Sequence, residues 1–171
     1  MSHTVVERLR SLCLLICWLA VPAAVSGNET ELYSLHGVKR FYILVENLKP
    51  EAKQIGLTVS QVREDIELRL RSAGITILTE SESLNPNATA GLSYLYANIN
   101  NGLNVYAIEV SFKQPVLLER NQNIRCVGAS TWSTGGIGSG AKSQLRQQIR
   151  DSLGTYIDAF IIDYLKSNSW K

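Results

Sequence analysis

The chain has 171 residues, 17 Lys plus Arg against 15 Asp plus Glu, a formal net charge of +2 and 45% hydrophobic residues. Charge this close to balance excludes a global field that would steer the protein to nucleic acid, and the length suits one domain with its own core. Of the three cysteines, Cys13 and Cys17 fall in an N-terminal segment expected to be removed, which leaves Cys126 and excludes an internal disulfide.

In chain order, Arg8 and Arg10 precede the apolar run LCLLICWLAV, Leu12 to Val21, and then PAAVSG with small residues for cleavage. This is the pattern of a secretory signal peptide spanning 1–26, cut after Ser26. At about 1.5 Å per residue the apolar core is too short for a hydrocarbon layer of about 30 Å, so no transmembrane segment is expected after cleavage. A lipoprotein reading fails because Ile16 precedes Cys17, where a small residue is required. The remainder divides into an extended N-terminal segment, 27–37, and a single domain, 38–168.

VKRFYILVENL, Val38 to Leu48, alternates Phe41, Ile43 and Val45 with Arg40, Tyr42, Leu44 and Glu46, which predicts a strand. A helix follows, with Thr58 as cap, Gln61 completing a capping box, Leu57 and Val62 as a hydrophobic staple, and Gly74 as the left-handed stop. Its charged residues, Arg63, Glu64, Glu67, Arg69 and Arg71, form a solvated face of mixed sign. ITIL, Ile75 to Leu78, reads as a short strand, and Glu80 to Gly91 as a polar loop. Asn101-Gly102 predicts a two-residue hairpin turn pairing Ala97 with Tyr106 and Leu95 with Ile108. That register places Leu95, Ala97, Ile99, Tyr106, Ile108, Val110 and Phe112 on a core face. Tyr94, Tyr96, Asn98, Val105, Ala107, Glu109, Ser111 and Lys113 then share the outer face. Pro115 marks an edge, bulge or bend. IRCVGASTW, Ile124 to Trp132, is a further strand leading into a flexible glycine loop, Gly135 to Gly140. A long helix, Ala141 to Ser167, closes the chain.

The order β-α-β-β-β-β-α predicts an α+β fold: an antiparallel-dominated sheet of four to five strands with two helices packed on one face. Parallel pairing is expected only between the first two strands, across the first helix.

The glycine loop resembles a phosphate cradle but fails in detail. Gly135 and Gly140 have P-loop separation, yet Ala141 intrudes before Lys142 and Ser143 and turns the lysine by about 100°. Gly136, Gly138 and Ala141 satisfy G-x-G-x-x-A, but no strand follows the helix, and Asp158 falls inside it. No cofactor is therefore expected. Lys142, Arg146 and Arg150, at i, i+4 and i+8, make a basic stripe near the helix N-terminus, against the helix dipole. It reads either as a seat for an anionic partner, such as an envelope headgroup, or as a solvated basic face.

Catalytic groups are sparse, and none is assigned. His36 is the single histidine after the signal segment, so a dyad with Cys126 or a serine triad must be built around it. One Cys and one His do not supply a zinc site. Glu46 and Glu109 belong to the outer sheet face, where a carboxylate pair is conceivable and ordinary surface charge is the alternative.

The runs LHGVKRFYILVENL, GLTVSQVREDIELRLRSAGI and TWSTGG together resemble a family of small exported bacterial proteins of unassigned function. The resemblance implies a bacterial source, export to the periplasm or medium and one domain, and it carries over no catalytic residue. In a bacterium the sequons at Asn28 and Asn87 are idle. Two functions follow as expectations. The first is a non-catalytic exported module binding a protein or an anionic envelope component through Tyr94 and Tyr96 or through Lys142, Arg146 and Arg150. The alternative is a small exported hydrolase.

Overall fold

The computed structural model describes residues 29–83 and 92–169. The signal peptide and its cleavage position, both sequon asparagines and most of the polar loop before the hairpin lie outside the described residues. The described elements are α1 (Glu29–Ser34), β1 (Tyr42–Val45), α2 (Pro50–Gln54), α3 (Val59–Ser72), α4 (Glu80–Ser83), β2 (Tyr94–Asn101), β3 (Val105–Leu118), β4 (Asn121–Ser139) and α5 (Lys142–Asn168). The strands form one sheet in the order β1-β2-β3-β4, parallel between β1 and β2 and antiparallel elsewhere. This is an α+β fold whose two long helices, α3 and α5, share one core with a single sheet face.

The alternating pattern of β1 buries Phe41, Ile43 and Val45, and the core faces of β2 and β3 bury Leu95, Ala97, Ile99, Tyr106, Ile108, Val110 and Phe112. Helix α3 starts where the capping pattern places it. Thr58 Oγ1 accepts from the Gln61 amide at 3.2 Å, and Leu57 and Val62 are buried beside one another in the staple positions. Gly74, at φ +77°, stops it.

The hairpin turn sits two residues later than expected. Asn101 pairs with Tyr106, Ala97 with Val110 and Leu95 with Phe112, and the Gly102 amide donates to the Val105 carbonyl at 2.8 Å. The turn is therefore Leu103-Asn104, and Gly102 lacks the positive φ of a type I′ turn. The displacement preserves the faces, because moving the turn by an even number of residues leaves every side chain on its own side of the sheet.

Three further elements differ from expectation. The 27–37 segment is not extended throughout: α1 forms within it and delivers Leu32 and Leu35 to the interior. Ile75 to Leu78 contributes one parallel bridge, Ile77 to Phe41, rather than a strand. The reason lies in the next residues: the Thr79 amide donates to Glu82 Oε2 at 2.8 Å while the Glu82 amide donates to Thr79 Oγ1, a reciprocal cap that turns the chain into α4. The glycine stretch is not a flexible loop either. Gly135, Gly136 and Gly138 pair with Glu109, Ile108 and Tyr106 as the last part of β4, so the two expected elements merge into one strand of 19 residues. Glycine is required there by close approach. A Cβ at Gly138 would collide with the Tyr106 ring and one at Gly136 with the Tyr156 hydroxyl of α5.

Helix α5 crosses the sheet with Leu145, Ile149, Leu153, Ile157, Phe160 and Tyr164 inward. Phe160 stands 5.1 Å from Trp132, 5.5 Å from Phe41 and 5.7 Å from Phe112, centroid to centroid. The buried Trp132 indole donates to Asp163 Oδ2 at 2.9 Å, which gives the indole its partner in the core. At the far end of α5, Asn168 Oδ1 accepts from the Gly37 amide, Asn168 Nδ2 donates to the Leu35 carbonyl, and His36 Nδ1 lies 2.8 Å from the Ser167 carbonyl. These bonds latch the segment after α1 onto the last turn of the chain.

Beyond the Tyr94–Lys113 pair, β3 and β4 continue as a two-stranded ribbon. The pairing shifts at Gln114/Val116, where Pro115 interrupts the ladder as expected.

Gly138→Ala is expected to lower the unfolding free energy by about 1–3 kcal/mol through overpacking against Tyr106. Gly102→Ala, whose Cβ meets only Val105 at 3.5 Å, stays within about 0.5 kcal/mol. Urea denaturation of the two variants checks the difference, and equal stabilities would return the glycines to the status of a loop.

Candidate functional site

The sheet has two unlike faces. All of the core-forming helices lie on one, and among the described residues no helix lies on the other. Strand register then decides which side chains meet on the uncovered face. Leu44, Tyr96, Ser111 and Ser133 form one row across the four strands, and Tyr42, Tyr94, Lys113 and Ser130 the next. Glu46 follows Val45, whose partner is Ala97, and Glu109 is paired with Asn98.

Tyr96 is the centre of this face. Its hydroxyl donates to Glu46 Oε2 at 2.6 Å, and the Lys113 ammonium lies 4.2 Å from its ring centroid. Both contacts fix the ring, one at its polar tip and one on its π face. The hydrogen bond to Glu46, then partial burial, then the charges of Glu46 and Glu109 push the Tyr96 hydroxyl up to about 12. Tyr94 is half-buried, and a Cβ on Gly128 of β4 would come within 3.0 Å of its hydroxyl. Its ring therefore reaches across β3 instead of standing in solvent. Ser111, between these groups, is wholly buried even though no helix of the described residues lies on its face. At the edge of the face the Arg63 guanidinium donates to the Tyr42 hydroxyl at 2.7 Å and lies 5.2 Å from the ring centroid. Leu44, Val105 and Ile137 are exposed on this same face, at 38%, 53% and 85%.

Glu46 and Glu109 do share this face, with β2 between their strands, so their backbones are two strand spacings or about 10 Å apart. Tyr96 hydrogen bonds to the first of them.

The basic stripe is divided among structural neighbours. Arg150 makes a bidentate pair with Asp65 of α3, 2.7 Å from Nε to Oδ2 and 2.8 Å from Nη2 to Oδ1, and this carboxylate raises the arginine's affinity for its proton. Arg146 packs over Gly56, and the Gln61 amide accepts from its Nη2 at 3.3 Å while donating to the Gly56 carbonyl. Lys142 is exposed in the first turn of α5, whose cap residue Ala141 supplies no side-chain bond. With Ser143, Arg146, Gln54 and Ile55 it borders a broad, shallow depression. Between α3 and α5 runs a second groove, of about 660 Å³, containing Asp65, Arg150, Arg69, Asp158 and Gly154. Its charges are mutually satisfied: Arg69 Nη1 donates to both Asp158 carboxylate oxygens, at 2.9 and 2.8 Å, while Arg150 pairs with Asp65 through two nitrogens.

His36 is turned to the Ser167 carbonyl at the end of α5, and Cys126 is a half-buried free thiol on the β3–β4 ribbon opposite Val116. Among the described residues, no three His, Cys, Asp or Glu side chains group as metal ligands. No helix of the described residues is long and apolar enough to cross a membrane.

Sequence reasoning placed Tyr94 and Tyr96 on one face but did not reach Glu46 and Lys113 as the groups that hold Tyr96. The alternation of both strands contained the signal, and the register across β1, β2 and β3 completed it. The partners of Arg150 and Arg69 carry no local signal, since each pair joins residues more than 80 positions apart.

Neither a family profile nor a curated protein sequence matches the chain. Among solved structures, the chain is similar to the PelC dodecamer from Paraburkholderia phytofirmans, with 16% identity and a TM-score of 0.38 over 71% of this chain and 85% of that one. A single-substitution variant of that dodecamer aligns at 16% identity and TM-score 0.39, over 72% and 89%. A minor lipoprotein from Acinetobacter baumannii aligns at 9% identity and TM-score 0.33, over 75% and 94%. Likenesses of this degree carry no chemistry to the present chain.

Removing the acceptor carboxylate isolates the cause of the tyrosine shift. Glu46→Gln is expected to bring the Tyr96 hydroxyl from about 12 back toward the ordinary tyrosine value, read as one fewer late-ionising tyrosine in an ultraviolet titration. Because the folded value is raised, the stabilisation from this bond is fully present below the ordinary value and is lost as pH rises through the folded one. In the variant that alkaline loss should disappear.

Proposed function

We propose that the protein is a non-catalytic exported module that binds another protein through the uncovered sheet face. The observation that carries this reading is the Tyr96 cluster: an aromatic side chain held at its hydroxyl by Glu46 and over its ring by Lys113, with Leu44 and Tyr94 beside it. A ring already immobilised in the free protein loses little side-chain entropy on docking, and tyrosine offers both apolar area and a polar tip. The surrounding charges, Glu46, Glu109 and Lys113, supply the polar rim of such a surface. Export rests on the signal-peptide pattern of residues 1–26.

The anionic-partner reading is weaker because two of its three residues, Arg146 and Arg150, are engaged by Gln61 and Asp65. A hydrolase would call for a cleft beside His36 or Cys126. Their settings, against the Ser167 carbonyl and on a projecting ribbon, favour the binding module instead.

Photocrosslinking in the native envelope fraction tests the surface. A photoreactive phenylalanine analogue replacing Leu44 or Tyr94 should trap one discrete protein, and the same analogue replacing Leu68 on the exposed side of α3 should not. Adducts from position 68 with none from positions 44 and 94 would assign binding to the helix layer and overturn the proposal.

A further inference from the structure

The two edges of the sheet are unequally protected. On the β1 side the edge is four residues long, charged residues Lys39, Arg40 and Glu46 flank it, and the Leu78 amide donates to the Phe41 carbonyl at its start. These are the usual defences against pairing with another chain: shortness, charge and cover. The β4 side has almost none. Its strand runs for 19 residues with Arg125 as the one charged side chain and no proline.

Cover on that edge is local. Ser34 Oγ of α1 donates to the Thr131 carbonyl at 3.0 Å, which closes the middle of the strand. From Ser133 to Ser139 the strand pairs regularly with β3 on its inner side, and the register shifts begin only at Phe112/Lys113, beyond Trp132. This stretch, STGGIGS, is uncharged, and three of its seven residues are glycines. Its one large residue, Ile137, is 85% exposed.

We infer that the Ser133–Ser139 edge of β4 is a pairing surface for a second copy of this chain, joined antiparallel about a twofold axis at Ile137. Among the described residues no strand pairs with this edge, and an extended row of backbone donors and acceptors without a strand partner is complementary to another strand. A twofold axis makes any strand edge complementary to itself provided that like charges do not meet, and here there are none. Centring the axis on Ile137 pairs the exposed isoleucines with one another on the outer face. Gly136 then faces Gly138 of the other copy and Gly135 faces Ser139, so no bulky side chain obstructs the approach of the strands. The two sheets would continue as one.

Sedimentation analysis of the protein purified after export tests this, with a concentration-dependent dimer in the micromolar range as the expected result. Ile137→Lys sets two ammonium groups directly opposite and should weaken association by about tenfold or more. Ile137 is exposed, so the variant is expected to keep the wild-type circular dichroism and melting temperature. Val127→Lys, at an exposed β4 position beyond the Thr131 cap, should leave association unchanged. In a Cys126→Ser background, Ile137→Cys should give a disulfide dimer on mild oxidation, because residues facing one another across antiparallel strands lie within disulfide reach. A monomer throughout the range, a folded Ile137→Lys variant that dimerises as well as wild type, or an Ile137→Cys protein that forms no linked dimer would overturn the inference. Association that survives substitution of Tyr94 and Tyr96 separates this edge from the face assigned to the protein partner.

Discussion

The packing of Phe160 among Phe41, Phe112 and Trp132, edge-on to the first and last and stacked on the second, is the contact on which the rest of the architecture depends. These rings come from α5, from the residue just before β1, from β3 and from β4, so a single side chain touches the sheet at three places. Edge-to-face geometry directs as well as attracts, because ring edges and faces carry opposite partial charge. It fixes where along its length α5 meets the sheet. The indole bond of Trp132 to Asp163, three residues on from Phe160, then fixes how the helix is rotated about its axis.

With α5 so placed, the remaining contacts have little freedom. Its N-terminal half lies over the end of β4, where Tyr156 and Tyr106 fill the space that side chains at Gly136 and Gly138 would occupy. Its flank meets α3 through two arginine–aspartate pairs in opposite senses, Arg150 to Asp65 and Arg69 to Asp158. Such partly exposed pairs contribute little stability individually, of order 1 kcal/mol or less, but their geometry sets the relation of the two helices. With the helices gathered on one side, the opposite sheet face is left to Tyr94, Tyr96, Leu44 and their charged neighbours.

Features decided by period were legible in the sequence. Which residues of β1, β2 and β3 face the core follows from alternation alone, and it survived a misplaced turn because a shift by an even number of residues is invisible to a period of two. The α3 cap and the long α5 stripe were likewise local. What alternation could not show was anything requiring knowledge of a neighbour. Four glycines in six residues read as a loop by composition, whereas Tyr106 and Tyr156 make glycine the residue that fits a strand at that place. The Thr79–Glu82 cap is present in the letters, but the stretch from Glu80 to Gly91 reads by composition as a polar loop. In the candidate site, the face of Tyr96 was legible and its Glu46 and Lys113 contacts were not, because they depend on strand register. The burden on Arg146 and Arg150 was hidden for the same reason: their partners, Gln61 and Asp65, stand 85 residues away.

The latch at the end of α5 bears on the order in which the chain can assemble. Helix α1 and the turn after it are held by Thr131, Gln114, Ser167 and Asn168, all of them far along the chain, with the His36 contact spanning 131 residues. A polypeptide that emerges N-terminus first therefore exposes Leu32 and Leu35 to its surroundings until its final turn of helix has arrived. Closing so long a span is among the slowest steps available to a domain of this size. The turn that follows the first described helix is thus secured only once the last helix is complete.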